Sequence, residues 1–163
     1  VPVPYINKYN HPHTIEGRPD DNWPLMRYAE VLLSLAEAIN ENEGPVSDAY
    51  SYLNQIRIRA GLNPVSGLTK EEFRKVVLHE RRIELAFENH RWFDLKRTMS
   101  GAELAAFLNA YGKREIENPT TPERANAPFA AGDYEFAEYE LFLPIPSREI
   151  RLNPDLKQTE GYN

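Results

Sequence analysis

The chain has 163 residues, of which 27% are charged, with a formal net charge of −6 and no cysteine. The lack of cysteine excludes disulfides, zinc–thiolate sites and cysteine nucleophiles. The acidic balance, with no dense basic cluster, argues against nucleic acid as a partner, and no apolar run reaches the ~18 residues of a membrane span.

The first two predicted regions are an irregular lead-in over residues 1–23, which contains four prolines, and a helix that follows it. Asp21 or Asn22 is expected to cap this helix, Pro24 to occupy its first turn, and Gly44-Pro45 to end it. One apolar stripe holds Leu25, Ala29, Leu32, Leu33, Ala36 and Ile39. A second, adjacent stripe holds Tyr28, Val31, Leu35 and Ala38, which predicts a helix packed on more than one side.

A second helix is predicted over residues 47–60, because Ala49, Leu53, Ile56 and Ala60 recur at helical spacing and Gly61 follows. The short connection between the two helices predicts an antiparallel αα-hairpin. This hairpin resembles one tetratricopeptide (TPR) unit, with small alanines where helices approach closely.

The next helix is predicted to open at Thr69, where Glu72 completes a capping box, and to run to about residue 88. A break is expected at Asn89, since Asn tolerates the left-handed backbone conformation. A short helix over 90–97 follows, and then a helix capped by Ser100 and Glu103 that Gly112 ends. Residues 113–138 predict a long surface loop, and "YELFLPIP" (139–146) a short strand-like run.

The most charged stretch is "ERRIELAFENHRWFDLKR" (80–97). Steps of three or four residues from Phe73 and Val77 place its carboxylates on the packed face of the helix. The favoured interpretation is a structural ionic lattice with arginines that include Arg27, Arg57 and Arg59 from neighbouring helices. The alternative is a glycosidase-like acid/base pair, Glu80 and Glu84. The predicted lattice comprises Glu80, Arg81, Glu84, Glu88 and Arg91.

Other chemistry is sparse in the sequence. His11 and His13 lie in irregular chain without a nearby carboxylate, and no phosphate loop, dinucleotide fingerprint or nucleophile elbow is present. We therefore predict no catalytic residue, metal or cofactor. Aromatic side chains near loops can stack on the apolar faces of sugar rings. The weak ligand-binding candidates are Trp23, Tyr111, Tyr134 and Tyr139.

Four blocks in order carry a family resemblance: "RYAEVLLSLAEAINE" (27–41), "LNQIRIRAGL" (53–62), "HERRIELAFENHRWFDLKR" (79–97) and "LFLPIPSREIRLNPDLKQTEGY" (141–162). Together they resemble the C-terminal portion of the SusD/RagB family of outer-membrane nutrient-binding lipoproteins. The resemblance implies a mainly α fold of TPR-like helical hairpins with long irregular loops and short extended segments. It also implies a longer polypeptide, of which residues 24–163 form the C-terminal helical region and about 98–138 a variable loop.

The resemblance also implies a function. It predicts a non-enzymatic, cell-surface component that binds an oligosaccharide or similar nutrient and passes it to a SusC-type TonB-dependent transporter. It further implies that the protein contacts the membrane only through a lipid anchor outside this chain. The alternative from another class is a TPR-like protein–protein adaptor without small-ligand binding, and the hydrolase that uses Glu80 and Glu84 is a third hypothesis.

Overall fold

The computed structural model describes residues 6–8, 15, 22, 24–118 and 135–162. The chain divides into two compact units, Val1–His90 and Arg91–Asn163. The first unit contains helices α1 (Tyr28–Glu43), α2 (Ser47–Arg59) and α3 (Lys70–Glu84). The second contains α4 (Arg91–Thr98), α5 (Gly101–Glu117), a 3₁₀ helix η1 (Glu138–Leu141) and α6 (Ser147–Leu152). The mainly α, TPR-like fold predicted from the sequence is therefore confirmed.

In the first unit, α1 packs on both α2 and α3. Three residues join α1 to α2, so the two helices form the predicted hairpin. Ala36 and Ala49 are fully buried and allow the helices to approach closely. The core is one cluster of apolar side chains: Ala29, Leu32, Leu33 and Ala36 from α1, Ala49, Leu53 and Ile56 from α2, and Phe73 and Val77 from α3.

The connection between α2 and α3 is fixed by side chains of α2. The Asn54 amide donates to the Val65 carbonyl at 3.0 Å and accepts from the Val65 N–H at 2.9 Å. The Tyr50 hydroxyl accepts from the Leu68 N–H at 2.7 Å, and the Tyr50 ring meets Phe73 edge-on with 5.0 Å between centroids. The predicted Thr69–Glu72 capping box then starts α3.

Two predictions about α1 are wrong. The helix begins at Tyr28 rather than at Pro24, because the Arg27 side chain donates to Glu84 at the end of α3 and the Arg27 backbone is extended. Leu25 is consequently 86% exposed and does not join the buried stripe. The second apolar stripe is also exposed, so α1 packs on α2 and α3 without burying this stripe; its members are Tyr28, Val31, Leu35 and Ala38.

In the second unit, α5 starts with the predicted Ser100–Glu103 capping box but continues through Gly112 to Glu117, so Gly112 does not end it and the predicted loop begins later. The Asn109 amide accepts from the Phe136 N–H and donates to the Phe136 carbonyl. These two bonds fix the segment that leads into η1. Residues 119–134 of the predicted loop lie outside the described part of the chain.

The predicted strand-like run over 139–146 is wrong: η1 occupies its start, and no strand occurs among residues 24–118 and 135–162. The Gln158 amide accepts from the Ile145 N–H at 2.8 Å and donates to the Ile145 carbonyl at 3.0 Å. A side chain thus satisfies the backbone groups that a neighbouring strand would otherwise pair. Beyond it, "SREI" begins α6 directly after Pro146.

Candidate functional site

Charged side chains from four parts of the first unit converge at the C-terminal end of α3. We call this set the ionic cluster; it comprises Lys8, Arg27, Arg59, Glu84 and Glu88. Arg27 lies at its centre. Its Nε and Nη2 donate to the two carboxylate oxygens of Glu88 at 2.8 and 2.7 Å, and its Nη1 donates to Glu84 at 2.9 Å. This fork-on-carboxylate geometry is the strong form of the Arg–Glu pair.

Lys8 binds backbone and side-chain oxygens at the C-terminal end of α3. Its ammonium donates to the Glu84 carbonyl at 2.8 Å, to the Ala86 carbonyl at 3.0 Å and to the Glu88 carboxylate. The last carbonyls of a helix have no partner within the helix, so a cation at this end satisfies them and interacts favourably with the helix dipole. Nothing in the pattern of the irregular lead-in indicated that Lys8 would lie here.

Two residues with left-handed backbone flank Glu88. Asn89 has φ 65°, as predicted, and Phe87 has φ 67°, which the sequence did not indicate. A bulky residue in this region is rare and costs on the order of 1–3 kcal/mol. Helix α3 ends at Glu84, so the prediction that it runs to residue 88 is wrong. Glu88 reaches Arg27 through this turn and not through a further helical step.

The ionic cluster keeps its carboxylates charged. Burial by itself raises the pKa of Glu84, but hydrogen bonds and charge from Arg59 and Arg27 outweigh burial and hold that pKa below its ordinary value. The pKa of Glu88 is likewise lowered, because Arg27 and Lys8 outweigh its burial. Hydrogen bonds to Glu88 and Glu84 raise the pKa of Arg27 further. A general acid at neutral pH needs the opposite shift.

Two further predicted lattice residues, Glu80 and Arg81, contact residues of α1 and α2. Glu80 is buried and accepts from Arg57, whose Nε also donates to the Asn63 carbonyl at 2.9 Å. Arg81 is buried and donates to the Ser34 hydroxyl at 3.1 Å. Arg91 begins α4 in the second unit. Within the first unit, the structure therefore brings Glu84 and Glu88 together on Arg27 and pairs Glu80 with Arg57.

A pocket of about 760 Å³ opens beside the ionic cluster in the first unit. We call it the Phe87 pocket. Its apolar lining consists of Ile6, Ile83, Ala86 and Phe87, and its charged lining of Lys8, Arg59 and Glu84. An apolar pocket with a few convergent polar groups is the usual form of a small-ligand site.

Two of the four aromatic ligand-binding candidates lie in the described part of the chain. Tyr111 on α5 is part-exposed, with the Arg114 guanidinium 5.2 Å from its ring centroid. Tyr139 meets Tyr162 edge-on at 5.0 Å between centroids, and its ring lies against Gly161. Both belong to the second unit. Trp23 and Tyr134, like His11 and His13, lie outside the described residues.

Within residues 24–118, 135–162 and the short described pieces before them, no group of three or more His, Asp or Glu side chains could hold a metal ion. None of the described helices has both the length and the apolar character needed to cross a membrane.

Comparison with known proteins gives a consistent match. The profile of the SusD family matches residues 3–162. SusD-like protein P2 of Formosa agariphila is 42% identical over 172 residues, which cover 98% of this chain and 30% of that protein. SusD-like protein P38 of the same organism is 36% identical over 120 residues, 68% of this chain and 24% of that protein.

Solved structures agree. A SusD superfamily protein from Parabacteroides distasonis superposes with a TM-score of 0.61 at 30% identity, over 86% of this chain and 27% of that one. A SusD homologue from Bacteroides thetaiotaomicron gives 0.60 at 31% identity, over 84% and 26%. The chain spans less than a third of the length of these relatives.

Proposed function

The chain belongs to the SusD family, and on that premise we propose that its protein binds a glycan at the outer face of the outer membrane and passes it to a SusC-type TonB-dependent transporter. The observation that carries this proposal is the family match over residues 3–162. The protein acts as a binding component and not as an enzyme.

The chemistry of the described residues supports a binding role. Glu84 and Glu88 are held as ionised partners of arginine and lysine, so they lack the proton that a glycosidase acid donates. Glu80 is occupied by Arg57. Part-exposed aromatic rings such as Tyr111 and Tyr139 offer apolar faces to sugar rings.

A glycan array probed with the polypeptide as the cell makes it tests the binding role. We expect retention on at least one class of oligosaccharide, reduced by the same free oligosaccharide in solution. Purification from outer membranes in mild detergent tests the second half of the proposal, and a TonB-dependent transporter is expected to co-purify. A polypeptide that binds no glycan and co-purifies with no transporter would contradict the proposal.

The exposed apolar stripe of α1 favours a second candidate, a TPR-like adaptor that binds a partner protein. Tyr28, Val31 and Leu35 are exposed on a helix whose opposite face is fully packed. Substitution of Val31 and Leu35 by Ser distinguishes the two functions. Loss of a protein partner other than the transporter, with glycan binding unchanged, would favour the adaptor, whereas unchanged partners would count against it.

A further inference from the structure

We propose that the Phe87 pocket binds an acidic sugar residue, with the sugar's anionic group on Arg59 and the apolar face of its ring on Phe87. This inference rests on the proposed function, since it names the class of sugar and the residues that select it. Three independent features of the pocket lead to it: an exposed aromatic ring, an arginine with unused donors, and an excess of positive charge.

The aromatic ring belongs to Phe87, a residue that is 58% exposed and whose backbone adopts the rare left-handed conformation. Burial in the core therefore does not explain why a phenylalanine occupies this position. Backbone outliers of this kind are concentrated at ligand sites. Ile83 and Ile6 extend the apolar wall beside the ring. Such a wall matches the C–H face of a pyranose ring.

The unused donors belong to Arg59. Its Nη2 donates to the second carboxylate oxygen of Glu84, and its side chain is 55% exposed. Among the described residues no partner is found for its other N–H groups. Lys8 lines the same pocket, but its three donors are taken by Glu84, Ala86 and Glu88. Arg59 is therefore the cation with capacity for a ligand, and its planar fork suits a carboxylate or a sulfate ester.

The charge of the ionic cluster points the same way. Lys8, Arg27 and Arg59 contribute three cations, whereas Glu84 and Glu88 contribute two carboxylates. A neutral sugar leaves the excess positive charge uncompensated, and one anionic group balances it. Because carboxylate and sulfate share this chemistry, uronic acids and sulfated sugars are compared as separate arms of the test.

Isothermal titration of the polypeptide as the cell makes it with methyl glucuronide, glucose 6-sulfate and methyl glucoside tests the inference. We expect at least one acidic sugar to bind about tenfold or more tightly than the neutral glucoside. The preference should shrink at about 0.5 M NaCl, where screening is strong. The acidic sugar with the higher affinity shows whether the pocket prefers a carboxylate or a sulfate ester. Equal affinity for all three sugars, or no binding, would overturn the inference.

Variants assign the preference to the pocket. Arg59→Gln should reduce acidic-sugar affinity to that of the glucoside. Phe87→Asn, which tolerates the same backbone conformation, should weaken acidic and neutral sugars alike. Arg74→Gln is the matched control, since Arg74 is an exposed arginine of the same unit that pairs with Glu41 and Glu71 away from the pocket. Circular dichroism melts confirm that each variant folds.

The outcomes separate this inference from the proposed function. If Arg59→Gln keeps the full preference while it folds normally, the acidic-sugar site is not the Phe87 pocket and the inference fails. If the polypeptide as the cell makes it binds only neutral glycans on the array, the inference fails and the proposed function stands. If it binds no glycan and no transporter, the proposed function fails as well.

Discussion

Glu88 is the residue on which the end of α3 depends most. Its side chain is only 1% exposed, and its carboxylate accepts two hydrogen bonds from Arg27 and one from Lys8. Removal of one partner from a buried ion pair leaves the other charge uncompensated, which is far more costly than loss of an exposed pair.

We therefore expect Glu88→Ala to lower the free energy of unfolding by on the order of 3 kcal/mol, measured by urea denaturation. Glu71→Ala provides the control, because Glu71 is an exposed partner of Arg74 and should change stability by less than about 1 kcal/mol. Equal effects of the two substitutions would mean that Glu88 is solvated in solution.

The lowered pKa values of Glu84 and Glu88 predict how stability depends on pH. A carboxyl whose folded pKa is below its unfolded value stabilises the fold above the unfolded pKa of about 4.3, and this stabilisation is lost as pH falls through the folded pKa. The free energy of unfolding should thus drop from about pH 5 downward. Glu88→Gln should show a shallower drop, and an identical pH profile in that variant would contradict the prediction.

At the scale of single residues, the sequence predicted the arginines that pair with the carboxylates, but it did not predict the other residues around them. Arg27, Arg57 and Arg59 were expected as partners from neighbouring helices, and each contacts one or more of the glutamates. Lys8 and the left-handed Phe87 were not expected, because both depend on chain packing between residues far apart in the sequence. Local patterns carry no record of such contacts.

The turn after α3 is an element whose conformation the sequence did indicate in part. Asn89 has φ 65°, a conformation open to glycine and tolerated by asparagine, but unfavourable for other side chains. We expect Asn89→Ala to destabilise the chain by about 1 kcal/mol and Asn89→Gly to leave it unchanged or slightly more stable.

Thermal and urea unfolding of the Asn89→Ala and Asn89→Gly variants measure how strongly position 89 requires the left-handed conformation, because neither substitution adds a large side chain. Equal stability of the Ala and Gly variants would show that position 89 does not hold the left-handed conformation in solution.

Helix starts were predictable where the cap is local. The capping boxes at Thr69 and Ser100 need only residues three apart, and both are present. The start of α1 and the run over 139–146 were mispredicted, because Arg27 is held by Glu84 and Glu88, and Ile145 by Gln158. In each case a tertiary hydrogen bond overrides the local preference.

At the scale of the whole molecule, the four sequence blocks and the helical periodicity were sufficient for the family and the fold, and both predictions are confirmed. They did not indicate the Phe87 pocket, since its walls come from residues 6–8, α2 and the end of α3. A pocket between distant segments has no linear motif.

The contact of Lys8 with Glu88 joins residues that are 80 positions apart, whereas α1, α2 and α3 follow one another through short connections. Closing so long a loop carries an entropic cost that early local packing avoids. The three helices should therefore assemble first, and Lys8 should dock after the rate-limiting step. Stopped-flow kinetics of Lys8→Met should show an unchanged folding rate and an unfolding rate that rises roughly tenfold for each 1.4 kcal/mol of stability lost; slower folding instead would place the N-terminal segment in the folding nucleus.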